Sequence, residues 1–115
     1  MMFFSHMPQI FLRSFKEDLK MYTIYVSFIC HEGKREAFVE RMKSEGVLQA
    51  VREEDGCIRY DYYYADENPN ELLLIEAWES KEHQQVHIGQ PHMAKLREFR
   101  NDYIAESKLG EFELK

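Results

Sequence analysis

Between Tyr22 and Cys30 apolar residues take every second position: Tyr22, Ile24, Val26, Phe28 and Cys30, with Thr23, Tyr25, Ser27 and Ile29 between them. A two-residue period sends alternate side chains to opposite faces, so this run predicts a strand with one buried face, ended by Gly33. From Lys34 to Glu54 helix formers dominate, and Phe38 and Met42 lie four apart on one face. Leu48 and Val51 do not continue that stripe. Gly46 falls between the two pairs and predicts a break there.

Alternation returns from Cys57 to Ala65, with Ile58, Tyr60, Tyr62 and Tyr64 expected on one face and Cys57, Arg59, Asp61 and Tyr63 on the other. Asp66-Glu67-Asn68-Pro69-Asn70 has turn chemistry. Glu71 to Glu79 is nearly continuous in apolar residues, as in a strand covered on both sides. Ser80 is placed to cap a short helix through Ile88, Gly89-Gln90 interrupts it, and Pro91 suits the first position of another. Met93, Leu96, Phe99 and Tyr103 form that helix's inner stripe. Phe112 and Leu114, alternating with Glu111, Glu113 and Lys115, predict a last strand.

The order β-α-β-β-α-α-β predicts an α+β fold: a ferredoxin-like βαββαβ protomer with a four-stranded antiparallel sheet and its helices on one face. Tyr, Ile and Leu populate both faces of the sheet, so the uncovered face calls for a second copy packed against it. A homodimer is expected. An aromatic share of 14% is large for a core this small and points the same way.

At 115 residues the chain holds one domain with a modest core. Residues 1–20 are expected to be an N-terminal extension and 21–115 the compact domain. Phe3, Phe4, Ile10, Phe11, Leu12 and Phe15 are broken up by Ser5, His6, Pro8 and Arg13, which is unlike the apolar segment and cleavage site of a signal peptide. No apolar run approaches the ~20 residues of a membrane span. A net charge of −6, with Lys and Arg interleaved with Glu, argues against binding nucleic acid. Two cysteines, Cys30 and Cys57, each in an apolar run, make no disulfide framework; a reducing, cytoplasmic compartment is expected. Nucleotide-binding loops and triad-hydrolase motifs find no match.

Four groups carry candidate chemistry. Glu76 shares a face with Leu72, Leu74 and Trp78, so it should be desolvated and its pKa raised, unless Arg59 pairs with it across the hairpin. Trp78, the only tryptophan, ends that strand beside Glu76. His87 closes the short helix and His92 opens the next, where either can exchange protons near neutral pH. His83 and His87 share a helix face and with Glu76 resemble a metal site, but the helix is short and no metal ligand is assigned. Tyr60 and Tyr62 offer aromatic walls for a flat ligand.

The segments Glu53-Glu54-Asp55-Gly56-Cys57-Ile58-Arg59-Tyr60, Ile75-Glu76-Ala77-Trp78-Glu79-Ser80 and His87-x-x-x-Pro91-His92-Met93 together resemble the antibiotic biosynthesis monooxygenase domain family, over roughly Met21 to Leu114. The resemblance implies a dimeric α+β barrel of ferredoxin-like protomers. It implies cofactor-free oxidation of a small quinol or phenolic aromatic, with molecular oxygen as co-substrate. The haem-degrading branch is discounted, because Tyr22 to Cys30 has no Asn and Arg97 and Arg100 stand where its axial His is sought. On this reading His87 or Glu76 takes a phenolic proton, Trp78, Tyr60 and Tyr62 hold the ring, and His92 or Arg59 stabilises the oxyanion. Two alternatives stand beside it. One is an isomerase of a small phosphorylated dione, with Arg59, Lys95 and Arg97 as phosphate donors. The other is a non-catalytic dimeric binder of small aromatics, which predicts no close Glu–His pair. The enzymatic reading expects a dry hollow between sheet and helices, entered by Glu76, Trp78 and His87.

Overall fold

A computed structural model describes residues 21–112 of the chain; the expected extension at 1–20 and the tail residues Glu113, Leu114 and Lys115 lie outside the described residues. Strand β1 (Tyr22–Cys30) leads to helices α1 (Arg35–Ser44) and α2 (Val47–Arg52), then strands β2 (Cys57–Tyr64) and β3 (Glu71–Trp78). Helices α3 (Lys81–Ile88) and α4 (Pro91–Phe99) follow, then a 3-10 turn at Arg100–Asp102 and strand β4 (Ile104–Glu111). The sheet has the order β2-β3-β1-β4 with every neighbouring pair antiparallel. β1 and β2 therefore run parallel with β3 between them, the split βαβ arrangement of a ferredoxin-like fold.

The break expected at Gly46 is present, with this glycine at φ 75°, a left-handed conformation that costs an L side chain and suits glycine. It lets α1 and α2 turn separate apolar faces to the sheet: Phe38 and Met42 from the first, Val47, Leu48 and Val51 from the second. These pack with Phe28, Tyr60, Leu72, Leu74 and Trp78 of the sheet and with Leu96 and Phe99 of α4. The opposite face of the central strands, carrying Tyr25, Ile29, Leu73 and Ile75, is only half-buried.

Three expectations need correction. The last strand among the described residues is Ile104–Glu111, which begins well before the expected Glu111–Lys115 alternation; Phe112 follows it, and Glu113, Leu114 and Lys115 lie outside the described residues. As an edge strand whose Leu109 is 62% exposed, β4 shows little hydrophobic pattern and is defined by pairing to β1. Helix α4 stops at Phe99, so Tyr103 lies past the 3-10 turn, where it still packs on Phe38 at 5.9 Å and Phe99 at 6.0 Å. In β2 the register shifts between Cys57 and Arg59, where Cys57 opposes Trp78 and Arg59 opposes Ala77. That bulge leaves Ile58 as the extra residue, 49% exposed, and turns Cys57 onto the helix-covered core. Among the described residues no helix is long and apolar enough to cross a membrane.

Candidate functional site

The site is built at the end of β3 where the following helices fold back over it. Alternation along β3 puts Glu76 on the inner face with Leu72, Leu74 and Trp78, where it is 5% exposed. The Trp78 indole N–H donates to Glu76 Oε1 at 3.0 Å. Burial raises the Glu76 carboxyl to about 7, the nearby charge of Glu54 adds to the rise, and the indole bond opposes it. Glu76 is thus a buried acid able to exchange a proton near neutrality.

Arg59 does not pair with it. The register sets Tyr60, not Arg59, opposite Glu76, and Arg59 lies exposed on the other face with its Nε 3.8 Å from Asp61. The expectation that Arg59 joins Glu76 and the histidines is not met within the protomer.

Ser80 caps α3 by accepting a bond from the His83 backbone N–H at 3.2 Å, which sets the helix so that its last turn delivers His87 to the sheet. The His87 ring lies 4.7 Å from that of Trp78 and 5.7 Å from that of Tyr60, and the residue is 2% exposed. Its Nδ1 is 2.7 Å from Glu54 Oε2. Pro91 opens α4 and brings His92 into its first turn, where Nε2 is 2.8 Å from the same Glu54 oxygen. One carboxylate oxygen joins two imidazoles. An ionised carboxylate only accepts hydrogen bonds, so it satisfies both rings when His87 carries its proton on Nδ1 and His92 on Nε2. His87 Nε2 is then the free lone pair. Burial lowers the His87 pKa, with Glu54 pulling it back up, so the neutral, proton-accepting form is favoured near pH 7.

Glu54 was not singled out from the sequence, although it sits in one of the family-like segments. One signal was available: Glu53 and Glu54 immediately follow the C-terminus of α2, where the helix dipole disfavours negative charge. A carboxylate there needs donors, and these come from 33 and 38 residues further on.

Tyr60 stands 3% exposed beside His87 and contacts Tyr62 edge-on at 6.2 Å; burial raises both phenol pKa values. Their hydroxyls stay protonated and able to donate. His83 is not part of the group: its Nδ1 lies 2.6 Å from Ser80 Oγ, so the His83–His87–Glu76 arrangement does not form. Glu76, Trp78, His87 and Tyr60 converge: the Trp78 indole bonds Glu76, and the His87 ring lies against the rings of Trp78 and Tyr60. A recess of about 340 Å³ lies alongside, lined by Glu54, Asp55, Glu82, His83, Val86 and Gln90. Glu54 is the side chain common to recess and buried group.

The model of the family described as antibiotic biosynthesis monooxygenase matches residues 21–98. No curated protein matches the chain. Solved structures share the fold. A conserved protein from Methanosarcina mazei Go1 is 20% identical with a TM-score of 0.77, over 88% of this chain and 99% of its own. A protein from Nitrosomonas europaea, named provisionally for the same family, is 24% identical with a TM-score of 0.73, over 83% and 90%. A conserved protein of unknown function from Bacteroides thetaiotaomicron VPI-5482 is 26% identical with a TM-score of 0.70, over 83% and 98%.

Proposed function

Because the chain belongs to the antibiotic biosynthesis monooxygenase family, we propose that it is a cofactor-independent monooxygenase acting on a small quinol or phenolic aromatic. The observation that carries this reading is the Glu54 oxygen held at 2.7 Å from His87 and 2.8 Å from His92, against the buried Glu76–Trp78 pair. Glu54 fixes the His87 tautomer, and His87 Nε2 takes the phenolic proton of the substrate. The resulting electron-rich anion supplies the electrons that reduce oxygen: one oxygen atom enters the product and the other leaves as water. Glu76, whose carboxyl pKa is raised by burial to about 7, returns a proton to the reduced oxygen. Trp78, Tyr60 and Tyr62 supply the aromatic surroundings of the ring, which enters from the recess past Glu54 and Val86. His92 donates its Nε2–H to Glu54 and so helps hold the carboxylate that orients His87. Arg59 takes no part in the site of its own protomer.

The active species is a homodimer joined through the half-buried sheet face, which supports this assignment by its apolar Leu73 and Ile75. The phosphorylated-dione alternative is disfavoured because its proposed phosphate donors do not converge. Lys95 pairs with Glu45 at 2.8 Å, Arg97 reaches the Ile88 carbonyl at 3.4 Å, and Arg59 is on the far face. The close Glu54–His87 pair counts against the non-catalytic binder.

The test is oxygen uptake by chelator-treated protein, with no added cofactor, on a panel of hydroquinones and anthrone-like phenols. Uptake that disappears in His87→Ala while the protein stays folded and dimeric is the expected result. Turnover retained in that variant, or no uptake on any substrate, refutes the reading.

A further inference from the structure

Three donor atoms, Glu54 Oε2, His87 Nδ1 and His92 Nε2, lie within 4.8 Å of one another. They come from three separate segments: the loop after α2, the last turn of α3 and the first turn of α4. Each is held independently of any ion. Trp78 and Tyr60 pack the His87 ring, Pro91 sets the start of α4 that bears His92, and the side chains of Glu54, His87 and His92 are only 10%, 3% and 19% exposed. We infer that Glu54, His87 and His92 form a binding site for a divalent first-row transition ion of the zinc type, and that this ion and the proton-accepting lone pair of His87 exclude each other.

The donor set selects the ion. Two imidazole nitrogens and one carboxylate oxygen suit zinc, iron, nickel or copper, whereas magnesium and calcium require more oxygen ligands. With metal–donor distances of about 2.0–2.2 Å in a tetrahedral site, neighbouring donors stand about 3.4 Å apart. The present gaps of 2.7 and 2.8 Å therefore open by roughly 0.6 Å, and the two imidazole nitrogens, within 4.8 Å of each other, settle to the same spacing. Three protein ligands leave one position open. The recess beside Glu54, with Asp55 and Glu82 on its wall, provides an acidic path by which a cation and a water molecule reach that position.

The exclusion follows from proton bookkeeping. An ion at His87 Nδ1 requires that nitrogen to give up its proton. In the neutral ring the remaining proton then sits on Nε2, the atom that must be bare to act as base. The metal bond at Nδ1 replaces the hydrogen bond to Glu54, and the surplus proton of His92 moves to its Nδ1. This part rests on the reading of His87 under Proposed function; ion binding does not.

Isothermal titration of chelator-treated protein with zinc chloride, and cobalt(II) absorption as a spectroscopic reporter of the ligand set, test both parts. One ion per chain is expected, with affinity falling at least about tenfold in His92→Ala and in Glu54→Gln. The stoichiometry is expected to stay at one in His83→Ala, which alters the recess but removes no ligand. Circular dichroism confirms that each variant is folded, and His92→Ala serves where Glu54→Gln does not fold. No binding, or binding unchanged in His92→Ala, overturns the site. With a competent quinol, zinc is expected to suppress oxygen uptake and a chelator to restore it. Zinc bound at the triad with uptake unaltered overturns the exclusion, whereas absence of uptake in metal-free protein with undiminished zinc binding refutes the monooxygenase reading alone.

Discussion

The indole N–H of Trp78 reaches Glu76 Oε1 at 3.0 Å along a single strand face, so the two largest chemical oddities of β3 satisfy each other. A buried carboxyl with one donor is only partly compensated. Burial outweighs the indole bond and leaves Glu76 at about 7. Between the ordinary glutamate value and 7 the folded state therefore holds more protons than the unfolded state, and stability falls as pH rises through that window. Glu76→Gln removes the titration. Relative to the parent, the variant is expected to gain stability steadily from pH 4.5 to pH 7, by roughly 3 kcal/mol in total. Urea denaturation at a series of pH values checks this; a stability difference that does not change with pH refutes the assignment.

Glu54→Gln tests how the charge is shared. The Glu54 carboxylate raises both His87 and Glu76, so its neutral replacement is expected to lower both pKa values, His87 moving further from its ordinary value and Glu76 back toward its own. NMR titration of the imidazole and carboxyl signals reads both shifts. On a competent substrate the loss of the tautomer-fixing carboxylate is expected to reduce kcat/KM by about 10²-fold, and the acid limb of the pH profile moves to lower pH with His87.

Gly56 links the loop bearing Glu54 to the helix bearing His87. It has φ 82°, and a Cβ there would sit 2.3 Å from the His83 ring and 2.9 Å from His83 Cβ. The second contact is to the base of a side chain near the start of α3, which cannot swing aside. Gly56→Ala is expected to destabilise the fold by about 1–3 kcal/mol, measured as a lower urea midpoint at unchanged slope. It should also weaken the His87–Glu54 contact, because α3 is displaced.

What the sequence revealed follows from how far each signal reaches along the chain. The period of β1, the break at Gly46, the Ser80 cap and the burial of Glu76 all depend on neighbours within a few residues, and all are present in the structure. Glu54 depends on partners 33 and 38 residues away, which no local pattern encodes. The bulge at Ile58 was hidden because Tyr60, Tyr62 and Tyr64 extend a regular alternation back past the point where β3 shifts the register. The start of β4 was hidden for the opposite reason: an edge strand with exposed side chains gives little alternation, so the pattern emerges only at Phe112 and Leu114, at and beyond the end of the described residues.

The sheet face away from the helices provides the last prediction. Leu73 and Ile75 alternate with the buried Leu72, Leu74 and Glu76, so they project away from the helix-covered core and remain half-buried in the isolated protomer. If two copies meet there, Ile75 is central, since its strand is flanked by β1 on one side and β2 on the other. Ile75→Asp would then bury a carboxylate in an apolar interface with no cation assigned to meet it. The expected result is a shift from dimer to monomer in sedimentation at micromolar concentration, with far-UV circular dichroism retained because the inner-face core is untouched. A variant that remains dimeric would show that copies associate elsewhere, and a parent chain that sediments as a monomer would remove the homodimer altogether.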